Sequence, residues 1–462
     1  MNVAFHGAAR EVTGSCHVVH VGRSAVALDF GLFQGHRNEA NEKNLALPFT
    51  PDDLNAVILS HAHLDHAGRL PVLARLGFNR PVYATPATRE LCAIMLADAA
   101  RLAQRDAEYL TRRNRPVVAP LYDERDVGRL MDHFVCVPYD TPFAVAPGIR
   151  ATFVDAGHIL GSASVVLECT ENGAARRLVY SGDIGRRGLP IIRDPHPPNG
   201  ADAVIMESTY GDRDHASVAD MPAQLARVVR DTAARGGRVL IPAFAVGRAQ
   251  ELLLDLHALR RSNAIPPIPV ILDSPLAIAA TSVFAEHRET LDLGEPLVRT
   301  AGDFLSFEGL ELTQDVAASK ALNSRNGPMI IIAGSGMVEG GRILHHLLRG
   351  APDPRNTILI VGFMAENTLG RRIVERRPAL RILGEEVPLR ARVEILNGYS
   401  AHADRGELHD WVRAVRGAGV RDLPVFLVHG EAAAQDAFAA RLRADGFAVT
   451  IPERGAKVVL DA

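Results

Sequence analysis

The segment Ser60-His61-Ala62-His63-Leu64-Asp65-His66-Ala67-Gly68 constrains this chain more than any other. Four metal-ligand side chains fall within six residues, directly behind Val57-Ile58-Leu59, an aliphatic run that reads as a buried strand. Where a strand ends, the backbone leaves its ladder, so His61 and His63 can turn one way and Asp65 and His66 another, towards a second ion. One histidine at a strand end is usually a satisfied surface residue; an HxHxDH cluster is not explained that way.

The composition supplies the core such a centre needs. At 462 residues, 47% hydrophobic and 23% charged with a net charge of −3, the chain reads as folded, in two or three domains or one large α/β unit with an insertion. Disordered and fibrous classes are excluded. No apolar run approaches the ~18 residues of a membrane span, and Met1 to His6 lacks a basic segment followed by an apolar one, so the expectation is a cytoplasmic protein with no membrane partner. Cys16, Cys92, Cys136 and Cys169 show no CxxC spacing and read as small buried apolar residues. Lys43, Lys320 and Lys457 are the only lysines among 51 basic residues. That arginine bias suits phosphate recognition or reflects a GC-rich genome. A pI near 6.7 leaves no basic field over the whole protein, so a nucleic-acid surface would be a local groove.

Short aliphatic runs bounded by Gly, Pro or Asp recur, and many precede helical patterns, which gives an α/β class. Strands are expected at Ala25–Leu28, Val57–Leu59, Leu178–Tyr180, Val204–Met206, Val239–Ile241, Pro269–Leu272, Met329–Ile332, Thr357–Val361, Val393–Leu396 and Val425–Val428. Helices are clearest from Pro86 to about Arg112 and over Gly247–Leu259. The joints expected at Arg193–Asn199 and Glu385–Arg390 would bracket an inserted domain.

His61, His63, Asp65 and His66 resemble the signature of the metallo-β-lactamase superfamily, which implies an αββα sandwich. That family expects an Asp before the signature, then a lone His and an Asp after it; Asp29 in LDFGLFQG, His158 in DAGHILGSAS and Asp183 in YSGDIGRRG take those places. The resemblance implies one zinc on His61, His63 and His158, a second beginning with Asp65 and His66, Asp183 bridging the two, and Asp29 behind the ligands. A bridging Asp suits two close cations physically, and the hydroxide between them becomes the nucleophile at neutral pH.

The last histidine ligand, His429 in VFLVHGE, lies far downstream, and the stretch between resembles the β-CASP group of nucleic-acid-processing enzymes: Glu207 in MESTYGD, the IPAFAVGRAQELL unit, IIAGSGMVEGGR and His402 in GYSAHAD. The pattern is similar to bacterial homologues of the cleavage and polyadenylation specificity factor endonuclease subunit. It implies a first sandwich part over residues 1–205, an inserted α/β β-CASP domain over 206–387 and a sandwich return over 388–462, with Glu207 as motif A acid, His402 as motif B histidine and His429 as motif C ligand. The DNA-processing branch usually carries an aliphatic residue at motif C, so His429 favours RNA.

Phosphodiester hydrolysis needs an activated water, neutralised phosphoryl oxygens and a proton or positive charge for the leaving oxygen. His402 is assigned to the scissile phosphate or leaving oxygen and Glu207 to orienting it, which with Asp65 completes the catalytic set; the alternative is a plain hydrogen bond at a domain junction. Gly334-Ser335-Gly336 could cradle a substrate phosphate with backbone N–H groups, or be a tight turn. Val338-Glu339 beside it is an unexpected bulk and charge for a phosphate track. Arg248 and Lys320 read as solvated cations or backbone contacts, His345-His346 as structural, His6 and His17 as without ligand spacing, and Trp411 as core.

The leading expectation is a two-zinc ribonuclease acting on single-stranded RNA, with endonucleolytic and 5′-to-3′ exonucleolytic action both compatible with these residues. A small-ester or thioester hydrolase would not need the inserted domain. A non-catalytic RNA-processing scaffold would not need the seven ligand positions. No obligate protein partner is evident, and a homodimer is compatible with the sequence.

Overall fold

Along these strands successive aliphatic side chains divide between two cores, and that division sets the layers. Val165 and Leu167 join one buried cluster and Val166 another; Leu178 and Tyr180 separate from Val179, and Ala203 and Ile205 from Val204 and Met206, in the same way. A period of two with both faces apolar is the mark of a strand covered on both sides. The computed structural model describes residues 1–35, 37–112, 119–292, 306–417 and 421–460. By its packing the chain divides into two units: Met1–Arg187, Arg193–Asp214 and His402–Ala462, and Gly188–Ile192 with His215–Ala401.

The first unit is the αββα sandwich. One seven-stranded sheet runs in the order Lys457–Val459, Asn2–Gly7, Cys16–Val21, Ser24–Leu28, Ala56–Ile58, Val82–Ala84, Phe134–Cys136; the other runs Ala448–Thr450, Pro424–Leu427, Ala203–Met206, Ala174–Tyr180, Ala163–Glu171, Ile149–Asp155, Phe143–Ala146. Phe5, Val26 and Ile58 of the first sheet meet Phe153, Leu178 and Phe426 of the second between them. On the outer face of the second sheet, Trp411 and Val412 of the helix Arg405–Arg416 and Phe438 of the helix Ala432–Ala444 cover Val166, Val179 and Leu427.

The second unit holds a six-stranded parallel sheet in the order Leu310–Leu312, Val270–Leu272, Met329–Ala333, Arg238–Pro242, Thr357–Ile360, Arg392–Ile395. Val239, Ile241, Ile330 and Ile332 pack with the helices Met221–Ala234 and Arg248–Arg261; Leu240, Ile331 and Ile358 pack on the opposite face with Ile343, Leu347 and Ile373. This unit extends to Ala401 because Arg392–Ile395 pairs in parallel with Thr357–Ile360. Most of the expected joint Glu385–Arg390 is a strand, Glu385–Pro388, in a hairpin with Ala379–Ile382.

The helix Pro86–Arg112 has the expected bounds. Cys16, Cys92 and Cys169 are buried, but Cys136 is exposed, against expectation: it ends the edge strand Phe134–Cys136, which has a neighbour on one side only. Among the described residues no helix is long and apolar enough to cross a membrane.

Candidate metal centre

The polar side chains of the first unit gather where its strands end. Ala56–Ile58 runs out into the loop of His61 and His63, and the chain then turns into the short helix Leu64–Ala67, with His63 at its N-cap and Asp65 and His66 in its first turn. Asp29 follows Ser24–Leu28 with φ 61°, and His429 follows Pro424–Leu427 with φ 47°. Both are in the left-handed region, a strained placement tolerated where the surrounding structure dictates it. Asp183 follows Ala174–Tyr180, and Glu207 follows Ala203–Met206. The loops approach without clearance: a Cβ on Gly31 would lie 1.6 Å from the Asp65 carbonyl oxygen, and one on Gly185 would lie 1.6 Å from that of Gly157.

Among the described residues three groups of potential ligands result: His61, His63, His158 and Asp183; Asp65, His66 and His429; and Asp183, Glu207 and His402. In the first, Nδ1 of His63 stands 3.1 Å from Nε2 of His61 and 3.2 Å from Nε2 of His158. A tetrahedral ion with bonds of about 2.0–2.1 Å would hold nitrogen donors about 3.3 Å apart. The Asp183 carboxylate faces both ways: Oδ2 is 3.5 Å from His61 Nε2 and 3.6 Å from His158 Nε2, while Oδ1 is 3.3 Å from His66 Nε2. His429 Nε2 is 3.5 Å from Asp65 Oδ2.

The donor set fits divalent cations. Among the described residues, Nε2 of His66, Nε2 of His429 and Oδ1 of Asp183 are buried and meet one another or Asp65 only at 3.3–3.5 Å, loose contacts for buried polar atoms unless a cation engages them. Burial, reinforced by His66, holds His61 well below the usual imidazole pKa, and burial takes His63 down to about 4, so both are neutral donors at pH 7. Burial would raise the Asp183 carboxyl, but its other neighbours, His429 and then His66 foremost, outweigh it and hold it well below the usual range, so it is an anion.

His402 lies against this centre. It forms an antiparallel bridge with Gly185, and the Ala403 N–H donates to the Ile184 carbonyl at 2.8 Å. Its Nδ1 is 3.2 Å from Glu207 Oε1 and 4.0 Å from Asp183 Oδ2. Burial opposes charge on this imidazole, but Glu207 and then Asp183 and Asp65 prevail, and these acids raise its pKa to about 9. His402 keeps 16% of its side chain exposed, where His61, His66 and His158 keep 1% or less, so it is open to an incoming molecule.

In the second unit, Ser335 donates its N–H to the Gly340 carbonyl, and its hydroxyl accepts from the Glu339 and Gly340 N–H groups, which closes the Gly334-Ser335-Gly336 loop upon itself. Glu339 Oε1 accepts from the Leu369 N–H at 2.6 Å, which gives that acid a structural task. Arg248 is buried in an ion pair with Glu251 and is not a solvated cation. His346 is buried against Asp273 at 2.7 Å.

Three family models match the chain in succession: the metallo-β-lactamase superfamily over residues 9–220, the Beta-Casp domain over 249–373, and the Zn-dependent metallo-hydrolase RNA specificity domain over 386–452. Over 439 residues the chain is 42% identical to the ribonuclease TTHA0252 of Thermus thermophilus, covering 93% of each protein. The chain belongs to the β-CASP group of the metallo-β-lactamase superfamily. It is a metal-dependent hydrolase. This β-CASP protein is also 34% identical over 450 residues to the transcription termination factor FttA of Pyrococcus abyssi, of which it spans 66%. The crystal structure of a protein of unknown function from Enterococcus faecalis shares its fold, with a TM-score of 0.54 and 14% identity over 99% of both chains.

Sequence reasoning missed the residues that hold the ligands of this β-CASP centre. Thr209 Oγ1 is 3.1 Å from His429 Nδ1 and 3.3 Å from the His429 carbonyl oxygen, so the hydroxyl donates to the carbonyl and accepts from Nδ1–H, leaving Nε2 as the free lone pair. Ser60 Oγ, 3.0 Å from His61 Nδ1, does the same for His61, and Tyr180 acts one step further back by donating to Asp29 at 2.6 Å; only the polar character of strand-end residues signalled any of the three.

Proposed function

We propose that this protein is a ribonuclease that hydrolyses phosphodiester bonds of single-stranded RNA with two zinc ions. The observation that carries the reading is the Asp183 carboxylate, which turns one oxygen to the His61 and His158 group and the other to His66; the name of the Thermus relative supports the RNA substrate. His61, His63, His158 and Asp183 would hold one ion, and Asp65, His66, His429 and Asp183 the other. The pair supplies an activated water and neutralises charge on the phosphoryl oxygens.

The chain's own residues do the rest. Glu207 orients His402, and His402, held protonated by the acids around it, contacts the scissile phosphate and gives its proton to the leaving oxygen. Asp65, 23% exposed and 3.5 Å from His429 Nε2, completes the catalytic set. Gly334, Ser335 and Gly336 contact a substrate phosphate: the Ser335 hydroxyl accepts two backbone N–H groups, and its own proton is left to donate.

The test is cleavage of a 5′-labelled single-stranded RNA by metal-quantified protein, beside the Asp65→Ala/His66→Ala double variant and a chelated sample. Products that vanish in both controls are the expected result. Intact RNA with both zinc ions bound would overturn the reading.

A further inference from the structure

The parallel sheet of the second unit opens at its carboxyl edge. Arg238–Pro242 and Met329–Ala333 are neighbours there, yet the helix after the first, Arg248–Arg261, packs on one face of the sheet, and the helix after the second, Ile343–Gly350, packs on the other. Where adjacent parallel strands send their helices to opposite faces, their loops diverge, and the crevice between them is where an α/β sheet takes a ligand. Ala243-Phe244-Ala245 leaves one strand at this point and Gly334-Ser335-Gly336 the other.

Phe244 reaches from one loop to the other. A Cβ on Gly336 would lie 2.5, 2.6 and 2.7 Å from Cδ2, Cγ and Cε2 of its ring, and one on Gly362, beyond the next strand Thr357–Ile360, would lie 3.6 Å from Cε2. Three neighbouring ring carbons at nearly equal distance place Gly336 over the face of the ring; an approach at the edge would bring one carbon much nearer than the others. The ring therefore lies flat on the Gly336 backbone, which is why that position has no room for a side chain. With one face covered in this way, Phe244 is still partly exposed, as are Ser335 and Gly362.

The chemistry of the crevice selects its occupant. Residues 243–246, 334–337 and 361–364 include no charged side chain, so the loops offer a hydroxyl and apolar surface and no cation for a polyphosphate. A ring already pinned loses little freedom when a second flat group is laid on it, and every nucleobase has such a face. We propose that Phe244 is a stacking platform for one base of the RNA strand, next to the phosphate at Ser335, so that the second unit holds a whole nucleotide and selects unpaired strands, whose bases are free to leave their neighbours. The proposal rests on the ribonuclease reading for its ligand.

The test is binding of a short 5′-labelled single-stranded RNA to zinc-bound protein, read by stopped-flow anisotropy before cleavage, with cleavage followed in the same samples and melting temperature as a folding control. Phe244→Leu keeps an apolar side chain and loses the ring; it is expected to weaken binding about ten-fold. An abasic nucleotide walked along the RNA is expected to weaken wild type at one position to which Phe244→Leu is indifferent. Phe244→Trp keeps a ring and keeps the test decisive if Phe244→Leu does not fold: Trp411, the chain's one tryptophan, is buried in the first unit, so quenching of the new fluorescence by RNA reports stacking. Equal sensitivity of wild type and Phe244→Leu to the abasic nucleotide at every position, or an unquenched tryptophan in a complex that forms, would overturn the proposal while RNA cleavage stands. Position-specific loss and quenching without cleavage would uphold the platform and reject the ribonuclease reading, and RNA that does not bind would overturn both.

Discussion

Glu207 sets Oε1 3.2 Å from Nδ1 of His402 and accepts the Ile184 N–H on the same oxygen at 2.7 Å. Its other oxygen accepts the Thr209 N–H at 3.2 Å. Held from three directions and fully buried, the carboxylate cannot turn away, and it fixes which nitrogen of His402 faces inward.

That relationship predicts a division of labour between metal binding and proton transfer. His402→Ala should lower kcat for RNA cleavage by roughly 10²–10⁴-fold while zinc content stays at the wild-type value. Glu207→Gln keeps the shape and loses the charge, and should fall between the two. Zinc analysis beside single-turnover rates checks both.

Gly31 tests the packing of the loops. A Cβ there would lie 1.6 Å from the Asp65 carbonyl oxygen, a backbone atom that moves only with its helix. Gly31→Ala should therefore cost about 3 kcal/mol or more and deplete zinc, read by calorimetry and metal analysis.

Asp155, whose carboxylate accepts the Gly157 N–H beside His158, gives a pH signature of its own. Burial raises its carboxyl to about 6, against the pull of the Gly157 N–H and Arg193. A folded-state pKa above the ordinary carboxylate value means that the protonated form suits the fold, and stability is lost as pH rises through about 6. Asp155→Asn should be more stable than wild type at pH 8, by about 3 kcal/mol at most, and equal to it near pH 4. Denaturant melts at the two pH values decide this.

Asp273 has the opposite sign. Burial would raise it, but His346, Ser319 and Arg342 hold its carboxyl below the ordinary value. Its stabilisation is present above the ordinary carboxylate pKa and is lost as pH falls. Asp273→Ala leaves Arg342 and His346 without their shared anion and should destabilise by about 3–5 kcal/mol at pH 7. Denaturant unfolding of the variant measures it.

What could be read from sequence follows from how local each signal is. Met329–Ala333 and Thr357–Ile360 were legible because both faces of each strand are apolar. Val82–Ala84 and Phe134–Cys136 were not: Tyr83 interrupts the first, and Val135 and Cys136 of the second are exposed, so neither is the fully buried aliphatic run that marked Val57–Leu59. The HxHxDH cluster is contiguous, so its chemistry shows in the letters alone. The role of Tyr180 depends on Asp29, 151 residues away, and Tyr180 reads in sequence as one more aromatic ending a strand. Glu207 and His402, 195 residues apart, were legible only through resemblance. Thr209 stands two residues from Glu207, but its task is set by the opposing carbonyl and ring of His429.

The central claim is that two ions sharing Asp183 are needed for hydrolysis of RNA. The most direct measurement is the initial rate of single-stranded RNA cleavage as zinc is added stepwise to metal-free protein. The account predicts that activity stays near zero until the first equivalent is bound and rises as the second fills. Full activity at one zinc per chain, or none at two, would contradict it.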